Sequence, residues 1–476
     1  MSDIFKPKFL QIALPIIILF FGFIVRLYRF DNPIADWHSW RQADTSAVSR
    51  IFIERGFDLL HPRYLDISNI QTGKNNPEGY RYVEFPIYNL FQGMLFKTIG
   101  FFTIEEWGRL ISIFSSLFAG FFLFRLTKKH YDFKTGVLSL FFYMFVPFSI
   151  YYSRTILPDV MMVGASMAGI YFFDLYLDEK KKHKFIFLFL STLCTAASFL
   201  LKPYALFFVL PQVYLAYKKY KFKMMLRPEL WAHVIIATIP LVWWRMFIMQ
   251  YPEGIPASNW LFNGNGIRFR PSFFRWIFYE RITKLISGYF GTLLLAIGFI
   301  SSFKKKQNLL AVSFLVSSLL YVCIITTGNV QHDYYQILVV PTVALFMGLG
   351  ASYLTKKGYL GRSVGALTII LSFYFGWGIV KDYFNINNRS IVVAGEKADA
   401  LLPKDAKVIV PYDGDTTPLY YINRPGWPAF QDSVENLKKL GATHLVFVKP
   451  LKRDIDSFGK EYEVVAQSSD YLILKL

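Results

Sequence analysis

The sequence predicts an all-α polytopic membrane protein with about 11 transmembrane helices, followed by a small C-terminal α/β domain. Three observations predict it. Of 476 residues, 54% are hydrophobic, 19% aromatic and only 18% charged, with mean hydropathy +0.34, whereas globular domains carry about 25% charged residues. Apolar runs recur along the chain at about the 20 residues that roughly 30 Å of hydrocarbon demands at 1.5 Å per residue. The basic residues gather in one alternate set of the connecting loops.

The apolar runs lie near 9–28, 109–126, 136–153, 159–177, 185–201, 204–217, 229–249, 286–303, 308–326, 335–354 and 363–380. A further run, Glu84 to Phe102, would invert everything downstream if it crossed. Lys and Arg concentrate in short cytoplasmic loops, which decides the matter. With 84–102 outside as an interfacial helix, the inner loops hold Lys128, Lys129 and Lys134; Lys180, Lys181, Lys182 and Lys184; Lys218, Lys219, Lys221, Lys223 and Arg227; Lys304 to Lys306; and Lys356, Lys357 and Arg362. The opposing short loops hold Arg154, Lys202 and no basic residue in 327–334. The N-terminus is therefore expected in the cytoplasm and the C-terminal domain outside, in an integral protein of the inner or plasma membrane. The net charge of +19 (52 basic minus 33 acidic) is mainly topological, and no basic and aromatic pattern of a nucleic-acid module is present.

Residues 9–25 resemble a signal-peptide core, but the run is long and Arg26, Tyr28 and Arg29 replace a small-residue cleavage site, so an uncleaved first span is expected. Cys194 and Cys323 lie in apolar runs and form no disulfide framework. Three extramembrane pieces remain. Segment 30–108 contains an amphipathic stretch, Ala43 to Arg55, and the run after Glu84, both read as interfacial helices. Segment 250–285 is broken by Pro252, Gly254, Pro256, Gly264 and Gly266 and studded with Arg268, Arg270, Arg275 and Arg281, the composition of a mobile basic loop. Segment 385–476 alternates strand-like runs (Lys407 to Val410, His444 to Val448, Tyr471 to Leu474) with helical ones such as Ser433 to Leu440.

Acidic residues at membrane level are costly and so are candidates for function. Asp44 is either a helix N-cap or a general base taking the proton of an acceptor hydroxyl. Glu84 opens the second external helix, where Pro86 suits the first turn and an acid suits the macrodipole. Asp159, just after Pro158, is a near neighbour of Arg154 and either staples it or serves a site. Arg154, Lys202 and His332 fall at outer helix ends, where they either snorkel to headgroups or hold a phosphate. There is no Gly-rich phosphate loop, no His-Glu-x-x-His and no paired Cys motif. A metal held by side chains alone is weakly supported, although Asp44, Glu84 and His332 could in principle share a divalent cation.

The ordered set Trp40-Arg41-Gln42-Ala43-Asp44-Thr45, Glu84-Phe85-Pro86-Ile87-Tyr88, Tyr152-Ser153-Arg154 with Pro158-Asp159, Lys202-Pro203 and His332-Asp333-Tyr334-Tyr335 resembles the GT-C glycosyltransferases of the protein O-mannosyltransferase and lipid A aminoarabinose transferase type, over residues 1 to about 380. The resemblance implies a GT-C-like membrane domain, a polyprenyl-phosphate sugar as donor, a lipid, glycan or protein acceptor, and inversion at the anomeric centre. It implies Asp44 as the base, Asp159 and Glu84 as further acids of the site, and Arg154, Lys202, His332, Tyr334 and Tyr335 at the donor phosphate. No cofactor is required, because cations can stabilise the leaving phosphate directly. Two positions depart from the pattern. Asp44-Thr45 stands where protein mannosyltransferases have Asp-Glu, and Glu84-Phe85 where aminoarabinose transferases have Glu-Lys. The rival classes are a secondary transporter, whose charges would sit at mid-membrane within repeats, and a scaffold whose tail binds an envelope partner. Asp413-Gly414-Asp415-Thr416 reads equally as a tight turn or a binding loop.

Overall fold

The computed structural model describes residues 8–178, 183–304 and 309–476. The N-terminal residues 1–7 and the basic residues Lys180, Lys181, Lys182, Lys305 and Lys306, used above for sidedness, lie outside the described residues. The chain forms two compact units: Met1–Phe30, Arg109–Trp244 and Ser258–Asp382 make the first, and Asp31–Gly108, Arg245–Ala257 and Tyr383–Leu476 the second.

Each expected span corresponds to a helix or to a helix broken once. Among the described residues, Phe9–Arg26, Ile104–His130, Lys184–Leu201, Pro228–Ile248 and Gly358–Leu401 are by themselves long and apolar enough to cross a bilayer. Other runs are interrupted where proline removes a backbone donor: Phe133–Phe145 stops before Pro147–Tyr152, and Lys184–Leu201 gives way at Pro203 to a tight helical turn, Pro203–Val209, and then Leu210–Tyr220. The expected span 286–303 is a pair, Pro271–Ile286 and Gly291–Phe303, bent by 114°. Gly288 lies in that bend at φ +53°, and a Cβ there would fall 2.0 Å from the Ser372 carbonyl oxygen. Helices Gly291–Lys304 and Val340–Thr355 meet backbone to backbone: a Cβ on Gly298 would lie 1.9 Å from the Phe346 oxygen, and one on Gly350 1.9 Å from the Leu294 oxygen. Small residues permit such an approach between apolar helices.

The loop expected over 250–285 is instead built of short helices, Pro252–Gly254, Trp260–Asn263, Pro271–Phe274 and Arg275–Ile286. Two of its arginines act as carbonyl caps. Arg268 donates to the carbonyls of Phe262 at 2.8 Å and Ile324 at 3.0 Å, and Arg281 to that of Val330 at 2.6 Å.

In the second unit the C-terminal segment forms a five-stranded mixed sheet of β1 (Val408–Ile409), β2 (Gly426–Trp427), β3 (His444–Val448), β4 (Glu463–Gln467) and β5 (Tyr471–Lys475), in the order β2-β1-β3-β5-β4. β1 runs parallel to β2 and β3, while β5 is antiparallel to β3 and β4. The sheet does not close its core alone. Ile67, from the long segment after the first span, packs among Ile409, Trp427, Leu445, Phe447 and Leu472, and its amide donates to the Gly426 carbonyl at 3.0 Å.

Helix Ser39–Arg55 is more enclosed than an interfacial helix, for residues 41–49 are all buried. Its polar side chains are satisfied by helix Ile87–Ile99: Ser49 donates to Gln92 at 2.7 Å, Gln92 to Ser46 at 3.0 Å, and Asn89 to the Thr45 carbonyl at 2.6 Å. Buried polar groups need such partners, and these fix the two helices face to face.

Candidate functional site

Asp44 lies in the second turn of helix Ser39–Arg55, after His38 at the cap, so the N-cap alternative is excluded. Its side chain is buried and doubly held. Arg81 Nη2 donates to Oδ2 at 2.6 Å and Thr416 Oγ1 to Oδ1 at 2.6 Å. A carboxylate has about four acceptor positions, so both oxygens keep the capacity to accept a further hydrogen bond.

Arg81 is itself braced. Its other terminal nitrogen donates to Gln71 Oε1, and its guanidinium carbon lies 4.7 Å from the Tyr64 ring centroid. Gln71 donates to Asp66 at 3.4 Å, and Asp66 accepts the Ser68 amide at 2.8 Å. Burial pushes the Asp66 carboxyl up to about 6, against the lowering effect of the Ser68 hydrogen bonds and with a smaller upward push from Asp44. The Asp413-Gly414-Asp415-Thr416 motif is a turn with a second use. Asp415 Oδ1 accepts the Thr417 amide at 2.8 Å, which presents Thr416 to Asp44; burial raises the Asp415 carboxyl, and the Thr417 hydrogen bonds lower it.

Glu84 precedes helix Ile87–Ile99 rather than opening it. That helix begins at Ile87 with Pro86 at its cap, and the Glu84 carboxylate accepts from Arg41 at 2.7 and 3.0 Å. Asp44, Glu84, Arg41, Arg81, Thr45 and Asn89 line one small cleft of the second unit. Two carboxylates thus share a cleft, each with its own guanidinium.

The remaining candidates belong to the first unit. Asp159 is in the first turn of helix Pro158–Tyr176, and Lys202 separates Lys184–Leu201 from Pro203–Val209; their charges lie 3.5 Å apart with both side chains buried. Arg154 donates to the Arg29 carbonyl at 3.0 Å. Its loop is fixed from both sides. Ser112 donates to the Thr155 carbonyl at 2.6 Å, and the fully buried Arg26 donates through Nε to Ser153 at 2.5 Å. His332 sits among aromatic rings, 5.8 Å from Trp260, 5.5 Å from Tyr334 and 6.2 Å from Tyr335. Tyr335 also lies 5.8 Å from Tyr204, beside Lys202 in sequence, and Asp333 accepts from Tyr152. Among the described residues no three His, Cys, Asp or Glu side chains group as a metal ion would require.

Sequence reasoning missed Arg81, Thr416 and Asp66. Arg81 stands in Glu78-Gly79-Tyr80-Arg81-Tyr82, which has no periodicity to mark it, and Thr416 was visible only as the last residue of a motif that read equally as a tight turn or a binding loop.

The fold has counterparts among solved structures. ArnT from Cupriavidus metallidurans bound to undecaprenyl phosphate is similar over 97% of this chain and 97% of its own, with a TM-score of 0.64 at 12% identity; the same protein in the apo state gives 0.66 at 11%. The chain has a GT-C glycosyltransferase fold. A second GT-C structure, the archaeal oligosaccharyltransferase AglB from Archaeoglobus fulgidus in complex with an inhibitory peptide and a dolichol-phosphate, is similar over 95% of this chain and 71% of its own, with a TM-score of 0.57 at 9% identity. Residues 85–244 match the family described as dolichyl-phosphate-mannose-protein mannosyltransferase, a stretch that includes Arg154, Asp159 and Lys202. No curated protein matches the sequence.

Proposed function

We propose that this protein is an inverting membrane glycosyltransferase that moves a sugar from a polyprenyl-phosphate-linked donor to an acceptor hydroxyl on the extracytoplasmic face, with Asp44 as general base. The observation that carries the reading is the end-to-end similarity to a protein bound to undecaprenyl phosphate, 97% of each chain. The buried Lys202 and Asp159 pair supports it, since a cation at the end of an apolar helix suits a lipid-borne phosphate.

In this reading Asp44 accepts the proton of the acceptor hydroxyl as its oxygen attacks the anomeric carbon. The bond from that carbon to the phosphate oxygen breaks, and polyprenyl phosphate leaves with the electron pair. Lys202 and Arg154 offset the developing charge on the phosphate, Asp159 orients Lys202, and His332, Tyr334 and Tyr335 form an aromatic wall at the donor headgroup. Arg81 and Thr416 hold Asp44 in one orientation, the preorganisation that proton transfer needs. Residues 1–380 form the catalytic membrane domain with a cytoplasmic N-terminus, and 385–476 the extracytoplasmic domain.

The test is turnover of the full chain in vesicles with a panel of polyprenyl-phosphate sugars, following release of polyprenyl phosphate. Release with one donor names the sugar. Folded protein that releases nothing from any donor, alone or with envelope acceptors, refutes the reading.

A further inference from the structure

The first unit contains a cavity of about 290 Å³ between helices Lys184–Leu201, Leu210–Tyr220 and Pro228–Ile248. Phe199, Val209, Val213, Leu230, Val234 and Ala237 make its wall almost wholly apolar. Three of the polar side chains that reach it, His233, Gln212 and Thr195, are tied into one hydrogen-bonded chain. His233 bonds Thr192 at 2.8 Å through Nδ1 and Gln212 at 3.1 Å through Nε2, and Gln212 donates to Thr195 at 3.1 Å. What remains for an occupant is an apolar slot, and an empty slot of this size would forfeit packing.

One wall of the cavity is continuous with a strongly basic rim. Lys221 takes a left-handed φ of 53°, ending helix Leu210–Tyr220 and starting the turn Lys221–Leu226 that brings Met224 and Met225 to the cavity. Trp231 Nε1 fastens that turn at the Met225 carbonyl, 2.9 Å away. The two methionines are bracketed by Lys218, Lys219, Lys221, Lys223 and Arg227, all exposed, against which Glu229 sets one carboxylate, 3.6 Å from Arg227. An apolar slot that opens beside four lysines matches an anionic amphiphile: tail inward, headgroup on the ammonium groups.

We propose that this cavity holds one acyl chain of an anionic glycerophospholipid whose phosphate rests on the basic segment 218–227. The site is assigned to a resident membrane lipid and is independent of the proposed transfer reaction. It fastens the broken helix Pro203–Tyr220 to its neighbours, on the stretch of chain that begins at Lys202.

The experiment is native mass spectrometry of the delipidated full chain after addition of phosphatidylglycerol, phosphatidylcholine or undecaprenyl phosphate. Wild type is expected to retain one phosphatidylglycerol and little phosphatidylcholine. The double variant Lys221→Gln/Lys223→Gln should weaken phosphatidylglycerol by about thirtyfold, the equivalent of about 2 kcal/mol at about 1 kcal/mol per basic residue near an anionic headgroup. Ala237→Phe and, separately, Ala216→Phe fill the slot and should abolish retention; both sites line the cavity, so one folded variant suffices. Equal retention of both glycerophospholipids, or unchanged retention when the slot is filled, overturns the proposal. One-for-one displacement by undecaprenyl phosphate also overturns it and reassigns the cavity to a polyprenyl tail.

Discussion

Thr416 donates its hydroxyl to Asp44 Oδ1 at 2.6 Å across 372 residues of chain. The side chain expected to act as base is thus gripped by a residue of the C-terminal segment, opposite the Arg81 guanidinium on Oδ2 at 2.6 Å. This gives the tail a concrete part in the site. A hydrogen bond to a charged group contributes about 1.5–3 kcal/mol, enough to decide which rotamer a carboxylate occupies.

Thr416→Val should therefore lower kcat by about tenfold or more, at about 1.4 kcal/mol per tenfold, with little change in donor KM. Thr416→Ser, which keeps the hydroxyl, should restore it. Steady-state kinetics of the two variants checks this, and an unchanged kcat in Thr416→Val would contradict a role for the hydroxyl.

Asp66 makes stability depend on pH. Its carboxyl is raised from 3.8 to about 6, first by burial, so the folded protein binds this proton more tightly than the unfolded chain. The contribution is fully present below about pH 4 and is lost as pH rises toward and past 6, a change of the order of 3 kcal/mol. Asp66→Asn should remove that dependence, gaining stability over wild type between pH 4.5 and 7.5. Thermal unfolding of the two proteins at both pH values measures it; parallel shifts would contradict the assignment.

Lys202→Met should raise the apparent donor KM by about tenfold or more through loss of a charged phosphate partner. It also breaks the buried ion pair with Asp159, and removing one partner of such a pair costs about 3–5 kcal/mol. Adding Asp159→Asn should recover stability without recovering donor affinity, a split that unfolding and kinetics on the same three proteins would resolve.

What was legible in the sequence follows from the range of the physics. Strand β3 was read as His444 to Val448 and is found there, because a short run of apolar, β-favouring residues buried on both faces is a local signal. The span positions were legible for the same reason, but their breaks were not: a proline such as Pro147 or Pro203 fits the first turn of a new helix as well as a kink. The arginines of 250–285 suggested solvent, whereas Arg268 and Arg281 cap carbonyls that only the folded chain brings near. Asp44 and Glu84 stood out as acids beside apolar runs. Their partners did not, since Arg81 reaches Asp44 from 37 residues away and Arg41 reaches Glu84 from 43. Strand β4 was missed because Glu463–Gln467 is short and largely exposed, Val464 and Val465 included, and carries no alternation to mark it.

The most direct test compares wild type with Asp44→Asn in vesicles, using the donor identified by the panel and following both release of polyprenyl phosphate and donor binding. The substitution keeps the size of the side chain and an oxygen for Thr416 while removing the base. The account predicts that Asp44→Asn inserts and binds donor as wild type does but releases no polyprenyl phosphate above background. Release at the wild-type rate by Asp44→Asn would contradict it.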